Sequence, residues 1–207
     1  ASLEAENFFQ QGADEVHFLT HPNLQKYTHE NYAFALLQQH KKHSFDYFIL
    51  SATNNGKELS AILSAQLGVG VATDCISLFV SEEGDVEAVR PVFSGKAYST
   101  VRFRGNKPHI LSLRPNVFRD SPFSNQGEIF EEKINLPEFS QRAQSIVKQV
   151  GSQLDITEAR VVVSGGLGVQ GPENFKLLED LANILGGAVG ASRPVVDNGW
   201  RDYSNQV

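Results

Sequence analysis

A glycine-rich stretch near the end of the chain has the residue types and spacing of an anion-binding turn. Residues 161–163 are three valines typical of a buried strand, residues 165–171 contain four glycines, and Pro172 stands where a helix can begin. Proline is tolerated at that position because the first helical N–H has no partner within the helix. Glycines let a ligand approach the backbone closely, and the N–H groups of a helix start attract an anion. The stretch therefore predicts contact with a phosphate group.

Gly166, Gly168 and Gly171 of this turn also match the Gly-x-Gly-x-x-Gly fingerprint of dinucleotide-binding folds. In that motif an acidic residue about 20 positions further on binds the ribose of NAD. Here the next strand ends at Ser192 and Arg193, and the missing acid argues against NAD. A hydroxyl beside a cation suits a phosphate or a flavin ring, so Ser192 and Arg193 are candidate cofactor-binding residues. The alternatives are a tight strand–helix turn without a ligand and a solvated arginine at a helix start.

Other chemistry-bearing residues form weaker patterns. Residues 53–58 resemble a phosphate turn after a strand, but they lack the glycine spacing and trailing Ser or Thr of a P-loop, which favours a capped turn. No Ser-His-Asp or Cys-His arrangement is legible, so no catalytic residue is predicted. The histidines show no spacing typical of a metal site, and none is predicted. They are His17, His21, His29, His40, His43 and His109.

The composition limits the class of protein that can carry these residues. The chain has 207 residues, of which 41% are hydrophobic and 20% charged, which is enough for one large or two small folded domains. A net charge of −6 disfavours a nucleic-acid partner, because phosphate binding needs concentrated Lys and Arg. The arginines between residues 90 and 119 instead favour a protein-docking face. Cys75 is the one cysteine, so it is expected to be a buried, unreactive thiol. No apolar run approaches the ~20 residues of a membrane span.

Hydrophobic periodicity predicts the elements that must position the turn. Strands are predicted over 15–20 and 46–51 and helices over 29–40 and 57–67, an alternation typical of a parallel sheet covered by helices. Four further strands, separated by Gly and Asp turns, predict a meander of antiparallel hairpins. They cover residues 76–81, 86–93, 97–103 and 109–113. The fold class is therefore α/β, a mostly parallel sheet with an antiparallel extension.

A second α/β unit is expected after a polar connection over 115–137. Its predicted elements are a helix over 138–150, strands over 159–164 and 188–191, and between them a helix over 172–185. The domains are accordingly placed at 1–136 and 137–207. Residues 2–12 have the pattern of the last turns of a helix, without the strand that should precede it, and the chain contains no Met. We therefore expect a partial chain that lacks the first strand of one domain and the remainder of the other.

The residues of the second unit resemble the alpha subunit of electron transfer flavoprotein. The matching segments are Ala159–Gly166, Gly168, Glu173–Leu178, Leu181-Ala182, Ala188–Arg193, Val196-Asp197 and Gly199. Earlier landmarks are Gly56-Lys57, Asp74, Arg90-Pro91, Gly95, Ala97 and Thr100-Val101. The resemblance covers nearly the whole chain.

This resemblance implies a first domain of adenine-nucleotide-hydrolase-like architecture that binds no cofactor and packs against a beta subunit. It implies a second, Rossmann-like domain that holds most of the FAD. By the same resemblance Ser192 and Arg193 contact the flavin, Gly166 and Gly168 belong to the cofactor loop, and Val207 is the first residue of a backbone segment lining the cofactor. One departure stands out, because the family's loop reads Gly-Gly-Arg-Gly and this chain has Leu167 in place of the arginine.

The implied function is that of an electron carrier rather than a catalyst with a substrate of its own. Such a subunit passes electrons from acyl-CoA-type dehydrogenases, as in fatty acid beta-oxidation, to a quinone oxidoreductase or a similar acceptor. The implied cellular location is the bacterial cytoplasm or the mitochondrial matrix. Two alternative functions remain. The first is an NADP-binding oxidoreductase domain, in which Arg193 binds a 2′-phosphate. The second is a docking module without a cofactor, in which Leu167 has abolished flavin binding.

Overall fold

The polypeptide divides into two units, residues 1–146 and 147–207. The computed structural model describes residues 2–119, 125–138, 154, 156 and 159–207. The helix predicted over 138–150 lies outside the described residues except for Glu138. Within the described ranges no helix is long and apolar enough to cross a membrane.

Three helices and eight strands are described in the first unit. They are α1 (Ser2–Phe9), β1 (Glu15–Thr20), α2 (His29–His43), β2 (Tyr47–Ser51), α3 (Asn54–Leu67), β3 (Val71–Cys75), β4 (Ser77–Val80), β5 (Val86–Val92), β6 (Ala97–Arg102), β7 (His109–Leu113) and β8 (Glu128–Lys133). The parallel sheet and the antiparallel extension predicted from the sequence are both present.

The main sheet of the first unit has the strand order β2-β7-β3, and both pairs are parallel. Ile110 of β7 is fully buried among Phe48, Leu59 and Leu63, so α3 covers this face of the sheet. Leu111, the next residue, is fully buried on the other face with Ala72, Cys75 and Ala88. Because successive side chains of a strand point to opposite faces, β7 supplies both layers of the core.

The prediction that residues 109–113 close the hairpin meander is wrong. Among the described residues the antiparallel meander consists of β4, β5 and β6, and β7 pairs in parallel with β2 and β3 instead. The turn before β7 has hairpin chemistry, at Gly105-Asn106-Lys107, which explains the error. Three successive residues of β7, Ile110, Leu111 and Ser112, are fully buried, as is typical of a strand covered on both faces of a parallel sheet.

Two strands were missed altogether. β3 contains only three apolar residues, and β8 lies inside the polar stretch 115–137 that was interpreted as a connection. β8 pairs in parallel with β1, from Glu15 opposite Glu128 to Thr20 opposite Lys133. Its sequence, Glu-Ile-Phe-Glu-Glu-Lys, has little apolar content because most of its residues are exposed. The expectation of a buried Cys75 is confirmed, and burial raises the pKa of its thiol.

The second unit is a βαβ arrangement. Its elements are β9 (Val162–Gly165), α4 (Phe175–Leu185), β10 (Ala188–Ala191) and the short α5 (Arg193–Asp197), which the sequence did not predict. β9 and β10 are parallel, as expected for strands joined through a helix. Phe175, Ala182 and Val195 are buried against β10, so α4 and α5 both pack on this two-stranded sheet.

An ion pair joins the carboxyl ends of β3 and β7. Arg114 donates two hydrogen bonds to Asp74, from Nε to Oδ1 at 3.0 Å and from Nη2 to Oδ2 at 2.6 Å. Ser112 Oγ accepts the Asp74 backbone N–H at 3.0 Å. Asp74 has a φ of 59°, a left-handed conformation that Asp and Asn tolerate better than other side chains. The hydrogen bonds from Arg114 hold the pKa of Asp74 below its usual value.

We expect Asp74→Asn to lower the free energy of unfolding by about 1–2 kcal/mol at pH 7. Because the pKa of Asp74 is lower in the folded chain than in the unfolded one, this contribution is present above about pH 4 and is lost as the pH falls through the folded-state value. Urea unfolding from pH 7 to pH 3 measures it, with Glu82→Gln, an exposed carboxylate in the β4–β5 turn, as control. If Asp74→Asn lowers the free energy of unfolding equally at pH 7 and pH 3, the contribution assigned to the Asp74–Arg114 ion pair is contradicted.

Candidate functional site

The carboxyl ends of β9 and β10 lie side by side. Gly165 and Ala191 are partners in the parallel register, and the N–H of Ser192 donates to the carbonyl of Gly165 at 2.9 Å. Chain segments that leave two parallel strands at one edge form the usual ligand-binding crevice of an open α/β sheet. Gly166 and Ser192, two residues singled out from the sequence, are the first residues beyond this edge.

The loop after β9 is held by its own hydrogen bonds. Residues Leu167–Val169 form a 3₁₀ turn in which Val169 N–H donates to Gly166 O at 3.1 Å and Gln170 N–H to Leu167 O at 3.0 Å. Asn174 Nδ2 donates to Val169 O at 2.8 Å and ties the loop to the start of α4. These three hydrogen bonds constrain the backbone of the loop.

Glycines around this edge fall into two groups. A Cβ on Gly165 would lie 2.6 Å from Leu178 Cδ1, and one on Gly190 would lie 2.6 Å from Ser164 Oγ and 2.7 Å from Val207 Cγ1. These glycines are required by packing. A Cβ on Gly168 would meet no described heavy atom within 4 Å, and one on Gly166 would meet only Ser192 Oγ, at 3.7 Å. Neither has a positive φ, so the fold itself does not require glycine at these two positions.

Ser192 and Arg193 begin the short α5. Ser192 occupies the N-cap position, but its side chain makes no capping hydrogen bond to the described residues, and its Oγ faces Gly166. The Arg193 side chain is 78% exposed, and its Nε lies 3.5 Å from Asp197 Oδ2. A cation at the N-terminus and an anion at the C-terminus oppose the helix dipole, so this exposed pair contributes little stability.

A third segment reaches the same edge at the end of the described chain. Gln206 forms a parallel bridge with Ala191, and Val207 N–H donates to Ala191 O at 3.0 Å. Val207 packs across Gly190, whose missing side chain makes the approach possible. Gly190 was not singled out from the sequence, although an isolated glycine within a strand pattern indicates such a close approach.

The remaining sequence candidates lie in the first unit. Thr53 is the N-cap of α3, and its Oγ1 accepts the Gly56 N–H at 3.2 Å, which confirms the capped turn at residues 53–58. His17 and His43, whose spacing gave no metal signal, lie beside Glu132. Three separate elements supply this cluster, so no motif in the sequence could have shown it.

A parallel βαβ unit with a glycine turn at its carboxyl edge defines a Rossmann-like fold, and comparison with known proteins narrows the class. Residues 1–137 match the model of the electron transfer flavoprotein domain, and residues 155–207 match that of the electron transfer flavoprotein FAD-binding domain. The chain belongs to the electron transfer flavoprotein family. It is similar to alpha subunits of that family.

The relatives cover nearly all of this chain. The alpha subunit of Thermoanaerobacterium thermosaccharolyticum is 34% identical over 200 residues, which are 95% of this chain and 61% of the relative. The alpha subunit of Bacillus subtilis is 34% identical over 206 residues, 98% of this chain and 62% of the relative. Protein FixB of Clostridium saccharobutylicum is 34% identical over 200 residues, which are 95% of this chain and 60% of the relative. The chain thus spans 60–62% of the length of these relatives.

The two groups of glycines lead to opposite expectations for stability. We expect Gly168→Ala to leave the second unit unchanged or to stabilise it by up to about 0.4–1 kcal/mol, because alanine restricts the unfolded chain and meets nothing in the folded one. We expect Gly190→Ala to destabilise it by about 1–3 kcal/mol through overpacking. Trp200 is the single tryptophan and packs in this unit, so its fluorescence during urea unfolding reports both effects. Equal losses in the two variants would refute this distinction.

Proposed function

We propose that this chain is the alpha subunit of an electron transfer flavoprotein and acts as an electron carrier. FAD, when bound, supplies the redox chemistry, and the protein sets its orientation and surroundings. The observation that carries the proposal is the open space at Gly166 and Gly168, where neither packing nor backbone conformation requires glycine. Family membership, with an FAD-binding domain matched over residues 155–207, supports the same cofactor.

The residues at the β9–β10 edge fit a dinucleotide with a diphosphate. Bare backbone at Gly166 and Gly168 allows the close approach that a phosphate needs. Ser192 Oγ faces this space without a capping role and is available to donate a hydrogen bond. Arg193 supplies a cation that the fold does not use for stability. We assign cofactor contact to these four residues and to the backbone at Val207.

Leu167 distinguishes this loop from the arginine-containing loop that the family resemblance implies. Leu167 is 49% exposed and is the first residue of the 3₁₀ turn. An arginine there would offer a charge-assisted hydrogen bond, which leucine cannot replace. The loop proposed here therefore holds its ligand through backbone groups, with Ser192 and Arg193 as the polar side chains.

The division of labour between the two units follows from the same proposal. We propose functional domains at 1–136 and 137–207, a boundary ten residues before the division between units 1–146 and 147–207, the first domain for docking a beta subunit and the second for FAD. The meander exposes large apolar side chains, Phe79, Val80, Phe93 and Tyr98, which suit a protein partner. Acyl-CoA-type dehydrogenases as donors and a quinone oxidoreductase as acceptor are the proposed redox partners. The bacterial sources of the relatives favour the bacterial cytoplasm over the mitochondrial matrix.

Gly168→Ala tests the flavin site directly. In the full-length subunit with its beta subunit, we expect this variant to weaken FAD binding at least about tenfold, which is a loss of about 1.4 kcal/mol of binding free energy. The reason is that a methyl group would occupy the space that a phosphate needs. Equilibrium binding to the flavin-free protein measures the affinity, and unfolding shows that stability is retained. Leu177→Ala, an exposed position on α4, is the control.

Three outcomes would overturn this site. Unchanged FAD affinity in Gly168→Ala would show that the loop is not part of the FAD site. A wild-type heterodimer that binds no FAD would favour the docking module, and one that binds NADP instead would favour the oxidoreductase domain.

Arg193 should affect the redox potential more than the stability. Reduction adds negative charge to a flavin, and a nearby cation stabilises that charge, so we expect Arg193→Ala to lower the midpoint potential and Arg193→Lys to lower it less. For a two-electron couple, each ~1.4 kcal/mol of lost attraction corresponds to about 30 mV. Redox titration of the FAD-loaded heterodimer measures the shift, and unfolding should show a change below about 0.5 kcal/mol. Equal potentials in all three proteins would exclude Arg193 from the flavin site.

A further inference from the structure

Two histidines and a glutamate meet in the first unit, far from the glycine loop in sequence. His17 lies on β1, His43 is the last residue of α2, and Glu132 lies on β8. One ring nitrogen of each histidine and one carboxylate oxygen of Glu132 all lie within 4.8 Å of one another. Such a trio could share one ion.

The parallel pairing of β1 with β8 places these groups on one face. His17 is opposite Phe130 and Leu19 is opposite Glu132, so the two strands present His17 and Glu132 to the same side. The His17 ring stacks on Phe130, with centroids 4.7 Å apart and planes at 18°, and meets the His43 ring edge-on at 5.1 Å. The imidazole of His17 is therefore held in one orientation by its neighbours.

The hydrogen bonds of His17 leave one nitrogen without a partner. Its Nε2 lies 2.8 Å from Glu15 Oε2. Its Nδ1 is shut off from solvent, has no hydrogen-bond partner within the described ranges, and lies 3.6 Å from Glu132 Oε1. A single cation between His17 Nδ1 and Glu132 Oε1 would give the nitrogen a partner and neutralise the carboxylate.

We propose that His17, His43 and Glu132 bind a divalent transition-metal ion of the zinc class. Two imidazoles and one carboxylate are a ligand set that suits zinc, with water completing a tetrahedral shell. Magnesium and calcium prefer oxygen ligands alone and do not fit. Glu15 would hold the His17 tautomer that leaves Nδ1 free for the metal, a partner commonly found behind a metal-binding histidine.

Lys42 competes with a metal ion for Glu132. Its Nζ lies 2.7 Å from Glu132 Oε1, and Gln39 Nε2 donates to Oε2 at 3.2 Å. The Lys42 side chain is 55% exposed, so its ammonium group can move into water when a metal ion arrives. The ammonium group of Lys42 therefore occupies the position of a cation beside Glu132, and a metal ion can replace it.

Zinc titration of the full-length protein tests the proposal. After removal of metals with a chelator, calorimetry should show one Zn²⁺ bound per chain at the site, and excess Mg²⁺ should not compete. We expect Glu15→Gln to weaken zinc binding about 10–100-fold, the range for a residue that orients a metal-binding histidine. His17→Gln should weaken it more, and Lys42→Met should strengthen it. His109→Gln, which makes the same change on β7, should bind zinc like the wild type.

Three results would overturn the proposal. The first is equal zinc affinity in wild type and His17→Gln. The second is no strengthening in Lys42→Met. The third is a wild-type protein that binds no zinc. ¹⁵N spectra showing both nitrogens of His17 protonated at neutral pH would then identify a proton in the place assigned to the metal. If His17→Gln does not fold, His43→Gln gives the same test, since His43 is exposed at the end of α2.

Discussion

β7 lies between β2 and β3 and is hydrogen-bonded to both in parallel. Its two faces supply Ile110 to the layer under α3 and Leu111 to the layer shared with the meander, and both residues are fully buried. A strand with neighbours on both edges and side chains buried on both faces satisfies its backbone groups without water. The parallel pairing of β7 with β3 also brings Arg114, which follows β7, beside Asp74 of β3, and the register of this pair shifts between Ala72 and Cys75.

Local sequence was enough to predict elements whose partners are close along the chain. β4, β5 and β6 are joined by short turns with Gly and Asp, and the turn chemistry alone indicates antiparallel neighbours. Parallel pairing carries no such local sign, because the partner strand lies a long crossover away. Local sequence therefore predicts β7 beside its predecessor, and the exposed, glutamate-rich sequence of β8 is typical of a connection.

In the candidate site, too, local sequence predicts single residues but not the contacts that they make through the tertiary fold. Glycine spacing indicated the loop at Gly166 and Gly168, and the end of the next strand indicated Ser192. The sequence could not tell a glycine that packing requires, such as Gly190, from one that faces open space, such as Gly168, because the difference lies in the neighbours. It also could not place His17, His43 and Glu132 together, since β1, α2 and β8 meet only through the tertiary fold.

The exposed contact between Arg193 and Asp197 has a consequence in ionic strength. With both side chains in water, their attraction is screened by salt, whose Debye length is about 8 Å at physiological concentration and about 30 Å in dilute buffer. The 3.5 Å between Nε and Oδ2 is shorter than both of these lengths, so salt weakens the attraction without abolishing it. Because the pair is weak in water, the guanidinium of Arg193 exchanges between Asp197 and solvent, and ionic strength shifts the balance between these two positions.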